Sequence, residues 1–144
     1  MPEGGALPQS IEAERAVLGG LMLAPEQCLV IAESLKPEDF HRDDHKALFS
    51  LMVDMARANK PTEMVAVIDQ VRAANLVSEV GGLGYVAGLS DNVPSTQNLE
   101  YFAKVVEQRA IARRLIEGVQ EIESQARTGG GELDELLDFA ERTV

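Results

Sequence analysis

Two histidines lie four residues apart in the segment His41-Arg42-Asp43-Asp44-His45, with two carboxylates between them. On a helix, residues at this spacing share one face, so the two imidazoles could together bind a metal ion such as zinc. The sequence offers no obvious third ligand, and His41 falls at the expected start of a helix, where Asp43 and Asp44 interact favourably with the helix dipole. The segment is therefore interpreted as a helix N-terminus, and no metal site is predicted.

The other candidates for chemistry are a lone cysteine and a short glycine-rich segment. Cys28 is the only cysteine, and it lies on an apolar helix face without a basic neighbour, which favours a buried apolar role over a nucleophile. The segment 82–87 (GLGYVA) matches the G-x-G-x-x-A pattern, but no strand precedes it, which favours a turn between helices over a dinucleotide site. No lysine follows a glycine, so a Walker phosphate loop is absent. The sequence predicts neither catalytic residues nor a bound cofactor.

Composition and charge narrow the function classes further. The 144 residues carry 24 Asp and Glu against 13 Lys and Arg, a formal net charge of −11, and this charge repels phosphate backbones and anionic lipids. Four Phe, two Tyr and no Trp are too few to stack single-stranded bases. No apolar run approaches the roughly 18 residues of a membrane span, and the N-terminus lacks the pattern of a secretory signal. We therefore expect a cytoplasmic protein that neither binds nucleic acid strongly nor enters a membrane.

Helical spacing of apolar residues predicts an all-α fold, with a globular head over residues 10–97 after a flexible tail over residues 1–9. Ser10 is expected to cap the first helix. The further helices expected in the head are one from Pro25 with Leu29, Val30, Ala32 and Leu35 on its apolar face, one from Asp43 to Ala58, one capped by Thr62 with Val65, Ile68 and Val71, and a short one around Tyr85 to Leu89.

Residues 98–144 are predicted to form an antiparallel helical hairpin, the arm, with a long helix over 98–127, a turn over 128–131 and a return helix over 132–144. At 1.5 Å per residue, about 30 residues make a helix of about 45 Å, too long for the head alone. Its second half carries a narrow apolar seam that is expected to face the return helix, formed by Val105, Ala112, Leu115, Val119, Ile122 and Ala126. Two helices cannot bury all their faces, so apolar residues outside the seam predict contact with a second copy or another protein.

The only basic cluster is Arg109, Arg113 and Arg114, on the long helix. Arg113 lies four residues before Glu117, and such mixed charges are typical of a solvated helix face. Docking of a partner is the alternative, because arginine is enriched at protein interfaces.

Four segments together resemble a known family: LPQSIEAERAVLGGLML, KPEDFHRDDHKALFSLM, VGGLGYVAGLSDNVPSTQNLEYFAKVVEQRAIARRLI and ELDELLDFAER. From Leu7 to Val144 the chain is similar to the N-terminal domain of the bacterial replicative DNA helicase of the DnaB type. The resemblance implies a helical head and a helical hairpin, with hairpins pairing between subunits so that six domains form a trimer-of-dimers collar on which primase docks. It also implies that ATP, magnesium and strand separation belong to a following RecA-like domain that this sequence lacks, so the chain is expected to be a fragment without enzymatic activity.

The spacing of apolar residues and the family resemblance both indicate that the arm makes protein contacts. The residues we single out as candidate contacts are Ile111, Ile116, Ile122, Leu136 and Phe139 in the arm, with Tyr85 and Glu12 as rim positions. The expected partners are a second copy of the chain and primase, with a helicase loader as a further candidate. Two alternatives stay open: a stand-alone dimeric helical adaptor or regulator, and, more remotely, a small metal-dependent helical enzyme.

Overall fold

The computed structural model describes residues 7–91, 93–129 and 132–143, and these residues form a helical head that continues into a two-helix arm. The helices are α1 (Ile11–Leu23), α2 (Cys28–Ile31), α3 (Asp43–Arg57), α4 (Met64–Ala73), α5 (Leu83–Gly88), α6 (Leu99–Thr128) and α7 (Leu133–Thr143). Three 3₁₀ turns, Pro25–Gln27, Pro37–Asp39 and Thr96–Asn98, lie ahead of α2, α3 and α6. No strand occurs in the described part of the chain, and the predicted all-α fold is confirmed.

Helix α1 lies at the centre of the head. Ser10 caps it as predicted, because its hydroxyl oxygen accepts from the Ala13 N–H at 3.2 Å. Most of the 13 residues of α1 are buried, which makes the helix apolar around nearly its whole circumference and requires neighbours on several sides. Those neighbours supply the large side chains of the core, which include Phe40, Phe49, Leu48, Met52 and Leu99.

Two adjacent glycines let α1 approach its neighbours closely. A Cβ atom on Gly19 would lie 2.1 Å from the backbone oxygen of Leu89, and one on Gly20 would lie 2.3 Å from Cδ2 of Leu99. Both distances are shorter than a van der Waals contact, so a larger residue at either position would push α1 away. The Gly19-Gly20 pair therefore sets how α1 packs against the α5 end and the start of α6.

Two predicted head elements differ from the structure. The helix expected from Pro25 to Leu35 begins as a 3₁₀ turn and ends at Ile31, and Leu29 and Val30, expected on its apolar face, are exposed. Thr62 does not cap α4, which follows Glu63. Its buried hydroxyl instead donates to the Leu21 carbonyl at 2.9 Å. This acceptor lies 41 residues away in sequence, so the residues around Thr62 do not reveal it.

Helix α6 changes surroundings along its 30 residues. Leu99, Ala103, Val106 and Ala110 are buried in the head, whereas Gly118 is the only residue buried beyond Arg113 among the described residues of α6. Gly129 adopts a left-handed conformation with φ of 65° and ends the helix, which suits a residue without a side chain. Parts of the predicted tail and turn, residues 1–6, 130 and 131, and the last residue of the return helix, Val144, lie outside the described residues.

Helix α7 returns along α6 to close the arm. A Cβ atom on Gly118 would lie 2.9 Å from Cγ2 of Thr143, so the absence of a side chain at Gly118 brings the end of α7 close to α6. Leu136 and Phe139 are half-buried, whereas Leu133 and Leu137 of the same helix are exposed. None of the described helices is long and apolar enough to cross a membrane.

Candidate protein-interaction surface

Apolar side chains line the outer face of α6. Tyr101, Val105, Ala112, Leu115 and Val119, which we call the arm stripe, follow the alternating four- and three-residue spacing of a coiled-coil seam, with the exposed Gln108 at the position between Val105 and Ala112. Tyr101 is 66% exposed, and Leu115 and Val119 are each 52% exposed. Val105 and Ala112 are half-buried, and Val105 packs against the core of the head. The stripe therefore has the pattern of a helix-packing seam, and its residues Tyr101, Leu115 and Val119 are uncovered within the described chain.

This arrangement corrects the predicted seam. Leu115 and Val119 were expected to face the return helix, and the structure leaves both exposed. The reason is Gly118, which admits α7 on a neighbouring face of α6, where Thr143 approaches it. Helical spacing identifies a seam but not which neighbour covers it, so the same pattern fits a partner outside the chain.

The predicted contact residues of the arm fall into two groups. Ile111 and Ile116 are 51% and 36% exposed and flank the arm stripe. Ile122, Leu136 and Phe139 are half-buried inside the hairpin, so they are less available than the sequence interpretation assumed.

The two predicted rim residues, Glu12 and Tyr85, lie in one groove. The groove has a volume of about 700 Å³ and runs between α1, α5 and the first half of α6. Its other lining residues are Ser10, Ala13, Arg15, Ala16, Gly84, Gly88, Leu89, Pro94, Tyr101, Phe102, Val105 and Arg109. Because Tyr101 and Val105 belong to both, the groove and the arm stripe form one continuous surface.

Tyr85 is held in place from three directions. Its hydroxyl oxygen lies 2.6 Å from Nε2 of His45 and accepts from Nε of Arg15 at 3.2 Å. The guanidinium carbons of Arg42 and Arg15 lie 5.1 and 5.7 Å from the centre of its ring, within the range of a cation–π contact. Tyr85 is therefore a fixed part of the groove wall, unlike a freely rotating surface side chain.

Behind Tyr85 lies a hydrogen-bonded chain that sequence reasoning missed. Nδ1 of His45 is 2.7 Å from Oε1 of Glu14, and the other carboxylate oxygen accepts from the His41 N–H at 2.8 Å. Glu14 and His45 are 1% and 0% exposed. A signal for this existed, because Glu14 occupies an apolar-face position of α1, where a carboxylate needs a buried partner.

The contacts of His45 also bear on whether His41 and His45 could bind a metal ion together. Both ring nitrogens of His45 face protein side chains, and His41 lies just outside α3, so the two histidines do not share a helix face. Within the described residues, no group of three or more His, Cys, Asp or Glu side chains is arranged to hold a metal ion. The geometry supports the interpretation of this segment as a helix N-terminus.

Asp44 and Arg42 form an ion pair at the start of α3, with Nε of Arg42 donating to Oδ1 of Asp44 at 3.0 Å. Burial alone would raise the pKa of Asp44, but the hydrogen bond from Arg42 and the nearby charges of His45 and Arg42 outweigh it, so the pKa lies below its ordinary value. The hydrogen bond to Asp44 is also the largest cause of the raised pKa of Arg42. Asp44 therefore stays ionised and keeps Arg42 beside Tyr85.

Two of the three arginines in the basic cluster of α6 form hydrogen bonds with other residues of the same chain. Arg113 is 7% exposed and donates to two backbone carbonyls, and Nη1 of Arg114 donates to Oδ1 of Asp39 at 2.9 Å. Arg109 lines the groove. The solvated face predicted for Arg113 is wrong, because the sequence pattern does not show the distant carbonyls that Arg113 reaches. Burial also removes Arg113 from any docking surface, whereas docking at the exposed Arg109 and Arg114 stays a prediction.

A helical head that continues into a two-helix arm with exposed apolar side chains places the chain among all-α domains. Residues 6–108 match the family model described as the DnaB-like helicase N terminal domain. The chain belongs to this family.

Curated relatives and solved structures agree with this assignment. The chain is 40% identical over 137 residues to the replicative DNA helicase DnaB of Geobacillus stearothermophilus and 37% identical to the replicative DNA helicase DnaC of Bacillus subtilis, covering 95% of this chain and 30% of each relative. The crystal structure of the N-terminal domain of DnaB helicase from Mycobacterium tuberculosis superposes with a TM-score of 0.89 at 29% identity, covering 96% of this chain and 98% of that one. A DnaB-like replicative helicase, whose structure was described with its interactions with primase, shares the fold with a TM-score of 0.75 at 24% identity, over 94% of this chain and 32% of that one. The chain thus spans about a third of the length of these longer proteins.

Proposed function

We propose that this chain acts as the N-terminal scaffold domain of a hexameric replicative DNA helicase. In this role the arm joins neighbouring subunits, and the resulting collar binds primase during DNA replication. The exposed arm stripe is the observation that carries the proposal, because apolar side chains at coiled-coil spacing are stabilised by a covering helix. The names of the two curated relatives reported above, both replicative DNA helicases, support it.

Primase is proposed as the second partner. The support is a fold neighbour described with its interactions with primase, together with a groove of about 700 Å³ beside the arm stripe that combines apolar and charged lining residues. Protein-binding surfaces often combine an apolar floor with a polar rim in this way. Glu12 and Tyr85 are the positions in this groove at which we propose contact, and a helicase loader is a further candidate partner.

The chemistry of the helicase is assigned to another part of the protein. We place ATP, magnesium and strand separation in a following RecA-like domain, since the chain covers only 30% of the relatives it matches and contains no Walker loop. Under this proposal the chain is a cytoplasmic, non-catalytic domain.

Self-association tests the first part of the proposal. Val119→Glu places a carboxylate in the arm stripe at a position that is 52% exposed and has no role in the head core. Burying an apolar side chain is worth roughly 1.5 to 3 kcal/mol, and stranding a charge costs more, so the association constant should fall at least tenfold. Sedimentation equilibrium measures the constant, and circular dichroism checks that helicity is unchanged.

Gln120→Glu is the matched control, because it adds the same charge to the next residue of α6, which is exposed outside the arm stripe. We expect it to associate like the wild type. A wild type that stays monomeric at high concentration, or a Val119→Glu variant that associates normally, would contradict the proposal. Calorimetric titration with purified primase of the same organism tests the second part, and absence of binding by an associating wild type would favour the stand-alone adaptor.

A further inference from the structure

A buried arginine marks the place where the arm leaves the head. Arg113 donates through Nη2 to the Asp39 carbonyl at 2.7 Å and through Nη1 to the Pro8 carbonyl at 2.8 Å. These acceptors are 74 and 105 residues away in sequence. One guanidinium of α6 therefore joins the segment leading into α1 and the 3₁₀ turn Pro37–Asp39, both of which belong to the head.

The same turn is held at several further points. Nη1 of Arg114 donates to Oδ1 of Asp39 at 2.9 Å, and Oδ2 of Asp39 accepts from the Lys36 N–H at 2.9 Å. Just beyond it, Glu14 of α1 accepts from the His41 N–H at 2.8 Å. A carboxylate from the central helix and two guanidinium groups from α6 thus hold residues 39–41, which fixes this segment to both helices.

Arg113 lies at the point where α6 extends beyond the head. It is the last buried side chain of α6 at the head, because only Gly118 is buried farther along the described part of α6, and Gly118 faces Thr143 of α7. Because α6 is one continuous helix, a rotation of α6 as a rigid rod relative to the head would move Arg113 away from its two carbonyls. A buried guanidinium that loses its acceptors is strongly disfavoured, so these bonds resist this rotation.

We infer that Arg113 is a positioning residue that sets the angle between arm and head. The apolar contacts of Leu99, Ala103 and Val106 hold the first half of α6 in the head but are non-directional. Two short hydrogen bonds from a planar guanidinium are directional and select one orientation. This inference goes beyond the proposed function and does not depend on it, because the angle is a property of a single chain.

Distance measurement between two spin labels tests the inference. The labels are placed at Asp69→Cys on α4 in the head and at Gln125→Cys on the outer part of α6, both exposed positions. Cys28 is buried and is left in place. Labelled protein is diluted into excess unlabelled protein so that double electron–electron resonance reports distances within one chain.

We expect a narrow distance distribution in the otherwise unaltered chain and one at least twice as wide in Arg113→Met, at unchanged helicity by circular dichroism. Arg113→Lys, which keeps the charge but cannot present the planar fork, should give an intermediate width. Arg127→Met is the matched control, because it removes a guanidinium from the same helix whose only described partner is the exposed Glu123. It should leave the distribution unchanged.

An unchanged distribution in Arg113→Met would overturn the inference, as would equal broadening in Arg127→Met. If Arg113→Met does not fold, a shortened chain that begins at Gln9 removes the Pro8 carbonyl and leaves α6 intact. The distribution should then widen relative to the full chain, and a distribution identical to that of the full chain would overturn the inference. Sedimentation of the same samples separates this result from any failure of self-association.

Discussion

Oε1 of Glu14 lies 2.7 Å from Nδ1 of His45, and both side chains are almost completely shielded from solvent. This pair joins α1 to α3, and through the contact of His45 with Tyr85 it also joins α3 to α5. Three head helices are therefore connected by one chain of polar side chains.

Replacing Glu14 should destabilise the head severely. Glu14→Ala removes both carboxylate oxygens, which leaves the His41 N–H and Nδ1 of His45 without the partner they have in the head. Unpaired buried polar groups and the cavity left behind together cost about 3 kcal/mol. Urea unfolding followed by circular dichroism measures the loss. Glu12→Ala, which removes an exposed carboxylate of the same helix, should change the stability little, and equal losses for the two variants would refute the special role of Glu14.

The Asp44–Arg42 pair should make stability depend on pH in the acid range. Because the folded pKa of Asp44 lies below the unfolded value of about 3.9, its contribution is complete above that value and is lost as the pH falls through the folded pKa. Asp44→Asn should cost about 1 kcal/mol at pH 6, a figure already reduced for the partial exposure of Arg42. The difference from the wild type should shrink below about pH 4.

Urea unfolding at a series of pH values checks this behaviour. Asp43→Asn is the control, since the neighbouring Asp43 side chain is 97% exposed and bonds only Lys46 in the described structure. A difference between Asp44→Asn and the wild type that persists unchanged at pH 3 would argue against the ion pair as its source.

Gly19→Ala should destabilise the protein by about 2 to 3 kcal/mol, as expected for overpacking against rigid backbone. The added methyl group would lie 2.1 Å from the Leu89 carbonyl oxygen and 2.8 Å from Cγ2 of Val93, and a backbone oxygen cannot move aside as a side chain can. Thermal unfolding gives the change in stability. Gly84→Ala in α5 has no atom near the new Cβ, so it should be neutral or stabilise by up to about 1 kcal/mol.

Cys28 should be unreactive in the folded protein. Burial raises the pKa of its thiol to about 11, partly offset by the charge of Arg57, so almost no thiolate exists at pH 8. A thiol-specific reagent at pH 8 should label less than one tenth of the protein in an hour without denaturant and all of it in concentrated urea. Rapid stoichiometric labelling of the folded chain would show that the α2 region opens readily.

The sequence predicted where the helices lie along the chain better than it predicted which residues pack against them. Apolar spacing and the glycines after Thr128 were enough to identify α6, because a long amphipathic helix is determined locally. The burial of Arg113 was not predictable in this way, since its two acceptors are carbonyls that any residue type could supply. The orientation of the arm stripe depended on Gly118 and Thr143, whose approach is a tertiary event.

For the candidate interaction surface, too, the sequence predicted some features and missed others. Ile111, Ile116 and Glu12 are exposed, because exposure follows from helical periodicity once the buried face is known. Tyr85 and Glu12 line the groove, and contact of these four residues with a partner stays a prediction. Leu136 and Phe139 are half-buried in the hairpin because α7 turns that side toward α6. A short helix with leucines on two sides does not reveal which side is covered.

The closure of the head by α6 has a consequence for biosynthesis. Leu99, Ala103 and Val106 complete the core around α1, and Arg113 reaches back to Pro8 across 105 residues. During translation, α1 through α5 leave the ribosome before the helix that covers them, so the nascent head exposes the apolar side of α1 until α6 has emerged. Contacts this distant in sequence also slow folding relative to helical bundles built from neighbouring hairpins. A nascent chain halted before α6 should therefore be a preferred substrate for chaperones.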